Sequence, residues 1–235
     1  EAALILAYMP DERDDGDSLL ISLGAGLIRN GISVQESLLI RAGRYRSIIC
    51  RDLSCCSPAG KEVPQIENSE MAAEHVVAGI PMPYANISEL IDTLAADPAS
   101  LELSWSDEVN RFYIAEDAET IAELRRDGVE TMDLLLDEYR MGHGPRNRIL
   151  VARMIGRMSD VQVRDYALGV HDEDSYDLYF AMWRELLRLA PRGFVAPIAC
   201  ILAAMAYESG DGALAQKALD RAIADDEQYP LAQLL

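Results

Sequence analysis

The stretch Ala2-Ala-Leu-Ile-Leu-Ala-Tyr8 is a short, uncharged, apolar run, the pattern of a β-strand that is covered on both faces. After an acidic loop, apolar residues recur at helical spacing from Asp17 until Asn30-Gly31 supplies a left-handed stop. Residues 33–41 then have the pattern of a second strand. Because strand-helix-strand units with short connections form right-handed crossovers, the sequence predicts a β-α-β unit with two parallel strands.

A third strand follows directly. Ala42-Gly43 permits a tight turn into the strand-like residues 44–50, which predicts an antiparallel neighbour for the second strand. The sequence therefore predicts a small mixed α/β sheet. Three of the four cysteines, Cys50, Cys55 and Cys56, come where this third strand ends, in the stretch Cys-Arg-Asp-Leu-Ser-Cys-Cys-Ser-Pro-Ala-Gly.

The rest of the sequence has the pattern of an all-α protein. From about residue 68 onward apolar residues recur at helical spacing, and Asn86 with Glu89 forms a capping box, a device that Ser159 with Gln162 repeats. No further strand is predicted in this part.

The C-terminal segment predicts a helical hairpin. Two apolar helical faces flank Gly210-Asp211-Gly212, an arrangement similar to one tetratricopeptide repeat. We therefore predict two domains, an α/β domain over residues 1–100 that carries the cysteine-rich loop and an all-α domain over residues 101–235.

Charge limits the classes of partner. The chain has 21 basic and 40 acidic residues and a formal net charge of −19, a field that repels nucleic-acid phosphates and anionic lipids. Neither nucleic acid nor a membrane surface is an expected partner. The longest weakly polar stretch, residues 194–207, is too short for a bilayer span of roughly 20 residues. No basic-then-apolar leader precedes the first strand, so we expect a cytoplasmic protein.

The cysteine cluster has three interpretations. As a zinc site it supplies three of the four donors that a closed site needs, with His75, Asp52 or Cys200 a candidate for the fourth, although Cys200 lies on an apolar helical face and is more simply a small buried residue. As a redox site it allows a disulfide between Cys50 and either Cys55 or Cys56. As a structural feature it consists of small apolar side chains packed where the loop folds back on the sheet. The three interpretations stay open, and zinc is the one cofactor that the sequence brings into consideration.

Other reaction centres cannot be identified. No phosphate-binding glycine loop, nucleophile elbow or paired-histidine metal helix occurs in the sequence, and no catalytic or cofactor-binding residue is predicted. The leading hypothesis is a non-catalytic protein-interaction module that binds a protein partner or a second copy through its helical half. The alternative is a thiol- or metal-dependent enzyme or sensor that uses the loop of residues 50–56. A small-ligand site between sheet and helices is a third hypothesis.

Two stretches carry a family resemblance. The strand of residues 45–50 that enters Cys50-x4-Cys55-Cys56-x-Pro58-x-Gly60, together with the closing run Gly210-Asp-Gly-Ala-Leu-Ala215, resembles the bacterial domain-of-unknown-function family 4192. Ser57 departs from the proline expected after the double cysteine, and His75 replaces a small residue, which argues against a family-wide ligand there. The resemblance implies the α/β-plus-helical architecture and further strands upstream of Glu1, so that the sheet is incomplete here. It implies no activity.

Overall fold

A computed structural model describes residues 1–65, 69–78, 84, 86–115, 119–142 and 144–235. The chain divides into two compact units, Glu1–Pro83 and Tyr84–Leu235. The first contains a small mixed sheet and the second is helical, which confirms the predicted fold class.

The N-terminal unit is built on a four-stranded sheet in the order β1-β2-β3-β4. Its elements are β1 (Ala2–Tyr8), α1 (Gly16–Arg29), β2 (Ser33–Arg41), β3 (Arg44–Ser47), β4 (Lys61–Glu62) and α2 (Glu70–Ala78). Strands β1 and β2 are parallel across the α1 crossover, and the remaining pairs are antiparallel. The predicted β-α-β unit is therefore present, followed by a predicted hairpin.

The β2–β3 turn has the geometry that its two residues suggest. Ala42 and Gly43 have φ angles of 50° and 68°, and two successive left-handed residues match the right-handed twist of hairpin strands. β3 ends at Ser47 rather than at Cys50, because the Ser47 hydroxyl accepts hydrogen bonds from the amides of Ile49 and Cys50. The two-residue β4 carries no alternation that sequence inspection could detect, and it pairs with Arg44 and Tyr45.

Helix α1 covers one face of the sheet. Ile5, Leu20 and Leu39 form the buried centre of this packing. On the opposite face Leu4 and Tyr8 of β1 are 60% and 76% exposed, so the expectation that β1 is covered on both faces is wrong for the described residues of this unit. An apolar run alone does not show which face a helix covers.

The second unit is helical. Its elements are α3 (Ile87–Thr93), a 3₁₀ helix (Pro98–Leu101), α4 (Leu103–Asn110), α5 (Ile121–Arg140), α6 (Arg148–Arg157), α7 (Val161–Gly169), α8 (Tyr176–Leu189), α9 (Val195–Glu208), α10 (Gly212–Asp225) and α11 (Pro230–Leu234). One continuous core contains Trp183, Met132, Ile155 and Leu202. Among the described residues, no helix combines the length and apolar content that a bilayer crossing requires.

The division between the units differs from the predicted boundary at residue 100. The Asn86 side chain accepts hydrogen bonds from the amides of Ser88 and Glu89, so the predicted cap of α3 is present. Leu90 and Leu94 then pack into the helical core. Helical spacing marks a buried face without showing which core it joins, and residues 84–100 belong to the second unit.

Helices α9 and α10 form the predicted hairpin. Asp211 caps α10 through the Leu214 amide at 2.9 Å. At the other end, the Asp225 carboxylate accepts hydrogen bonds from the amides of Gly193, Val195 and Ala196 at 2.7, 2.9 and 3.1 Å. A residue at the end of α10 thus satisfies backbone N–H donors at the beginning of α9. The N-cap residue of α9 itself forms no side-chain hydrogen bond to these donors.

Candidate thiol site

The cysteine-rich loop starts from Ser47, the last residue of β3. Its Oγ accepts hydrogen bonds from the amides of Ile49 and Cys50 at 3.2 and 2.9 Å and donates to Glu36 Oε1 at 2.6 Å. The same Glu36 oxygen accepts the Ser37 amide at 2.8 Å. Ser47 therefore bends the chain out of the sheet and fixes the direction in which Cys50 leaves it.

Asp52 builds the next turn. Its Oδ1 accepts the amide and the hydroxyl of Ser54 at 2.8 and 2.7 Å, and these hydrogen bonds lower the pKa of the Asp52 carboxyl. Its carbonyl oxygen accepts the amides of Cys55 and Cys56 at 3.2 and 2.7 Å. One tight turn thereby returns Cys55 and Cys56 toward Cys50.

Gly60 brings the chain back to the sheet. Its φ is +69°, and a Cβ there would lie 2.8 Å from the Tyr45 carbonyl oxygen, so the position requires glycine on two grounds. The Arg44 guanidinium donates to the carbonyls of Ala59 and Gly60 at 2.8 and 2.7 Å. Both ends of the loop are thus attached to β3.

The loop brings three sulfurs together. The Sγ atoms of Cys50, Cys55 and Cys56 all lie within 4.8 Å of one another, and those of Cys55 and Cys56 are 3.9 Å apart. A hydrogen bond to Cys50, followed by burial and by Cys55, raises the pKa of Cys56 to about 11. The Cys56 thiol therefore keeps its proton at neutral pH unless a cation replaces it.

The spacing suits a metal ion. Zinc–thiolate bonds of about 2.3 Å in a tetrahedral or trigonal arrangement place the sulfurs about 3.8–4.0 Å apart. The distance of 3.9 Å between the Cys55 and Cys56 sulfurs falls in this range. The longest sulfur–sulfur distance among the three cysteines, at most 4.8 Å, exceeds the range by less than about 1 Å. No carboxylate or imidazole of the described residues joins the three sulfurs within that limit. An ion held here would keep one coordination position free of described side chains.

A pocket of about 190 Å³ lies beside the thiols. Its lining includes Cys55 and Cys56 together with Glu36, Leu38, Tyr45 and Ser47. The pairing of Leu38 with Ser47 places these two residues on the same face of the sheet. The loop thus folds onto the face opposite α1, and the pocket opens between loop and sheet.

Two further predicted residues can be placed. His75 belongs to α2, but its side chain lies outside the described residues, so its candidacy as a fourth ligand stays a prediction. Cys200 is fully buried in α9, and burial raises the pKa of its thiol to about 12. Arg46, a positively charged residue of β3 that precedes the cysteine loop, forms an ion pair with Asp17 of α1.

Sequence reasoning missed Glu36 and Ser47. Ser47 stands three residues before Cys50, a spacing at which a serine hydroxyl often binds a following backbone amide, and this was the available signal. Glu36 carried no signal, because only the β2–β3 register brings its carboxylate to Ser47.

A second pocket, of about 490 Å³, lies in the helical unit and includes His171, Tyr176 and Glu208 in its lining. His171 Nε2 lies 3.1 Å from Glu208 Oε2, and its ring contacts Tyr176 edge-on at 5.7 Å between centroids. These contacts hold the imidazole in place.

A comparison with protein families decides the identity of the chain. The family model described as Domain of unknown function (DUF4192) matches residues 1–235, the whole chain. The chain belongs to this family. The match confirms the resemblance carried by the cysteine loop and the C-terminal hairpin. No curated protein and no solved structure matches the chain significantly.

Proposed function

We propose that this DUF4192 protein binds a thiophilic divalent metal ion, zinc being the first candidate, through the thiolates of Cys50, Cys55 and Cys56. The observation that carries the proposal is the convergence of three sulfurs within 4.8 Å. Thiolates are common zinc ligands in closed structural sites, and they also occur in some sites that keep an open position.

The surroundings support binding rather than packing of the thiols as small apolar groups. Cys55 is exposed, and Cys50 and Cys56 are only partly buried, whereas Cys200 shows what a packed cysteine looks like in this chain. The loop is held by hydrogen bonds that Ser47 and Asp52 accept and that the Arg44 guanidinium donates, rather than by a core of its own. These hydrogen bonds fix the backbone that carries the three sulfurs.

A coordination position that no described side chain fills would distinguish a reactive or sensing site from a purely structural one. Structural zinc sites use four protein ligands, and sites with three keep a position for water or another molecule. The pocket beside Cys55 and Cys56 gives such a molecule access to the ion. This arrangement supports the metal-dependent alternative and names no substrate.

Metal titration tests the proposal. Reduced apoprotein is titrated with cobalt(II), whose thiolate complexes absorb visibly, and zinc affinity is obtained by competition. We expect one ion per chain. We expect Cys50→Ser, Cys55→Ser and Cys56→Ser each to weaken binding by more than the roughly 10–100-fold that loss of an outer hydrogen-bond partner costs.

Cys200→Ala is the matched control, because Cys200 is buried in the other unit and should leave the stoichiometry and the affinity unchanged. Reduced protein that binds no cobalt or zinc above the level of the triple cysteine-to-serine variant would contradict the proposal. So would equal losses in the Cys200→Ala variant.

The predicted interaction role of the helical half stays a prediction. It depended on the C-terminal hairpin, and most apolar residues that line both helices are buried inside the unit, among them Ile198, Leu202, Leu214 and Ala218. A partner would therefore meet the outer side of the hairpin, where Tyr207 and Ile223 are exposed. Light scattering at several concentrations tests self-association.

A further inference from the structure

The three thiols differ in how they can be joined by oxidation. Disulfides link residues whose Cα atoms are roughly 4.4–6.8 Å apart. Adjacent residues across a trans peptide are only about 3.8 Å apart at Cα. A bond between Cys55 and Cys56 would therefore be strained, even though their sulfurs are 3.9 Å apart. Cys50 is separated from both by a turn and has no such restriction.

Between the two remaining pairs, burial favours Cys56. The three sulfurs lie within 4.8 Å of one another, and Cys50 and Cys56 are both partly buried. Cys55 is the exposed member of the trio. We infer that the thiol site is an oxidative modification site in which a peroxide joins Cys50 to Cys56 and thereby expels the metal ion; the expulsion rests on the proposed function.

The chemistry balances with a peroxide as the named oxidant. The Cys50 thiolate attacks one oxygen of hydrogen peroxide, an S–O bond forms, the O–O bond breaks, and hydroxide leaves. The Cys56 thiol then gives up its proton and attacks the Cys50 sulfur, the S–S bond forms, the S–O bond breaks, and water leaves. Each sulfur loses one electron, and the peroxide gains two. An ion held by the three thiolates would lose two of them and be released, while Cys55 keeps its thiol.

Tryptic cleavage sites in the sequence allow the disulfide partners to be identified. Trypsin cleaves after Arg46, Arg51 and Lys61, which puts Cys50 in the peptide of residues 47–51 and the other two cysteines in residues 52–61. A bond from Cys50 joins the two peptides, whereas a Cys55–Cys56 bond stays within one.

The experiment treats the reduced protein with a small excess of hydrogen peroxide, alkylates free thiols at acidic pH, and maps the tryptic peptides by tandem mass spectrometry. We expect joined peptides with the alkyl group on Cys55. Joined peptides with the alkyl group on Cys56, a bond within residues 52–61, or no joined peptides would each overturn the assignment.

Variants separate the thiols from one another. Cys55→Ser should still yield the joined peptides, and Cys56→Ser should yield far less of them. Cys200→Ala should behave as the unaltered chain, because Cys200 is fully buried in the other unit. A joined product of equal yield in Cys56→Ser would overturn the choice of Cys56.

A zinc-release measurement distinguishes failure of the proposed metal binding from failure of the proposed disulfide. Zinc-loaded protein is treated with peroxide in the presence of a chromophoric chelator, and we expect about one zinc ion released per joined peptide pair. Zinc that stays bound while the peptides are joined would overturn the release. Reduced protein that binds no zinc would contradict the proposed function, and the peptide map would then decide the disulfide assignment alone.

Discussion

At the scale of single residues, the thiol site depends on a few side chains that shape the loop. Ser47 turns the chain away from β3, Asp52 closes the following turn, and Gly60 permits the return. None of the three supplies a metal ligand in our proposal. They fix where the sulfurs stand, which is the property that separates a binding site from three cysteines that are merely close in sequence.

Gly60→Ala tests this role. The alanine would have to adopt a left-handed backbone conformation, which costs about 1–2 kcal/mol. Its Cβ would also lie only 2.8 Å from the Tyr45 carbonyl oxygen. We expect cobalt(II) affinity to fall at least about tenfold, the factor that 1.4 kcal/mol represents. Amide hydrogen exchange across β3 should rise, a readout independent of the metal.

Gly43→Ala is the matched control for that prediction. Gly43 also has a left-handed φ, +68°, but a Cβ there meets nothing within 4 Å. Its substitution therefore carries the backbone cost alone. Equal effects of the two substitutions would show that the close approach to Tyr45 has no energetic role.

At the scale of elements, close helix approach in the second unit depends on Gly156 of α6. A Cβ at this position would lie 2.5 Å from the carbonyl oxygen of Val109 and 2.7 Å from the Cβ of Phe112. The absence of a side chain therefore lets α6 cross α4 and the turn after it at backbone distance.

Gly156→Ala should lower the free energy of unfolding by about 1–3 kcal/mol or more, because backbone has to move to admit the methyl group. Both tryptophans, Trp105 and Trp183, are buried in this unit, so urea unfolding followed by tryptophan fluorescence reports on it. Gly169→Ala at the end of α7, where a Cβ meets nothing within 4 Å, should cause no loss. Parallel losses in the two variants would contradict the packing argument.

Particular elements show how far the sequence leads. Residues 2–41 predicted the β-α-β unit, because apolar spacing and the Asn30-Gly31 stop are local signals. Ser159 was expected to cap α7, but Asp160 accepts the amides of Gln162 and Val163, and Ser159 Oγ accepts the distant Ile114 amide. A long-range partner thus overrode a local motif.

The candidate site was predictable in location and not in geometry. Sequence spacing put the three cysteines in one loop, but their sulfurs converge because of the turn at Asp52 and the hydroxyl of Ser47. The carboxylate of Glu36 reaches that hydroxyl only through the β2–β3 register. Contacts of this kind follow from tertiary structure, which no local pattern encodes.

At the scale of the whole molecule, alkaline pH should weaken the helical unit. Burial raises the pKa of Cys200 to about 12 from the ordinary value of 9.0, and burial likewise raises the pKa of Tyr229. A group whose pKa is higher in the folded state favours unfolding as the pH rises above its unfolded pKa. Stability should therefore be retained below about pH 9 and fall between about pH 9 and 12.

Urea unfolding at several pH values, followed by tryptophan fluorescence, measures this fall. Cys200→Ala should show a shallower decline than the unaltered chain, since it lacks one of the buried acids while the surface charge and the other cysteines are the same. Curves that stay parallel from neutral to alkaline pH would contradict the assignment of the decline to Cys200.

The carboxylate of Asp225 has a consequence for how the C-terminal hairpin comes apart. It lies at the last turn of α10 and satisfies amides at the first turn of α9, where Pro197 has no amide to offer. Fraying of one helix end would therefore strand hydrogen-bond donors of the other. The two helices should consequently open together, as one cooperative segment, instead of melting one after the other from their tips.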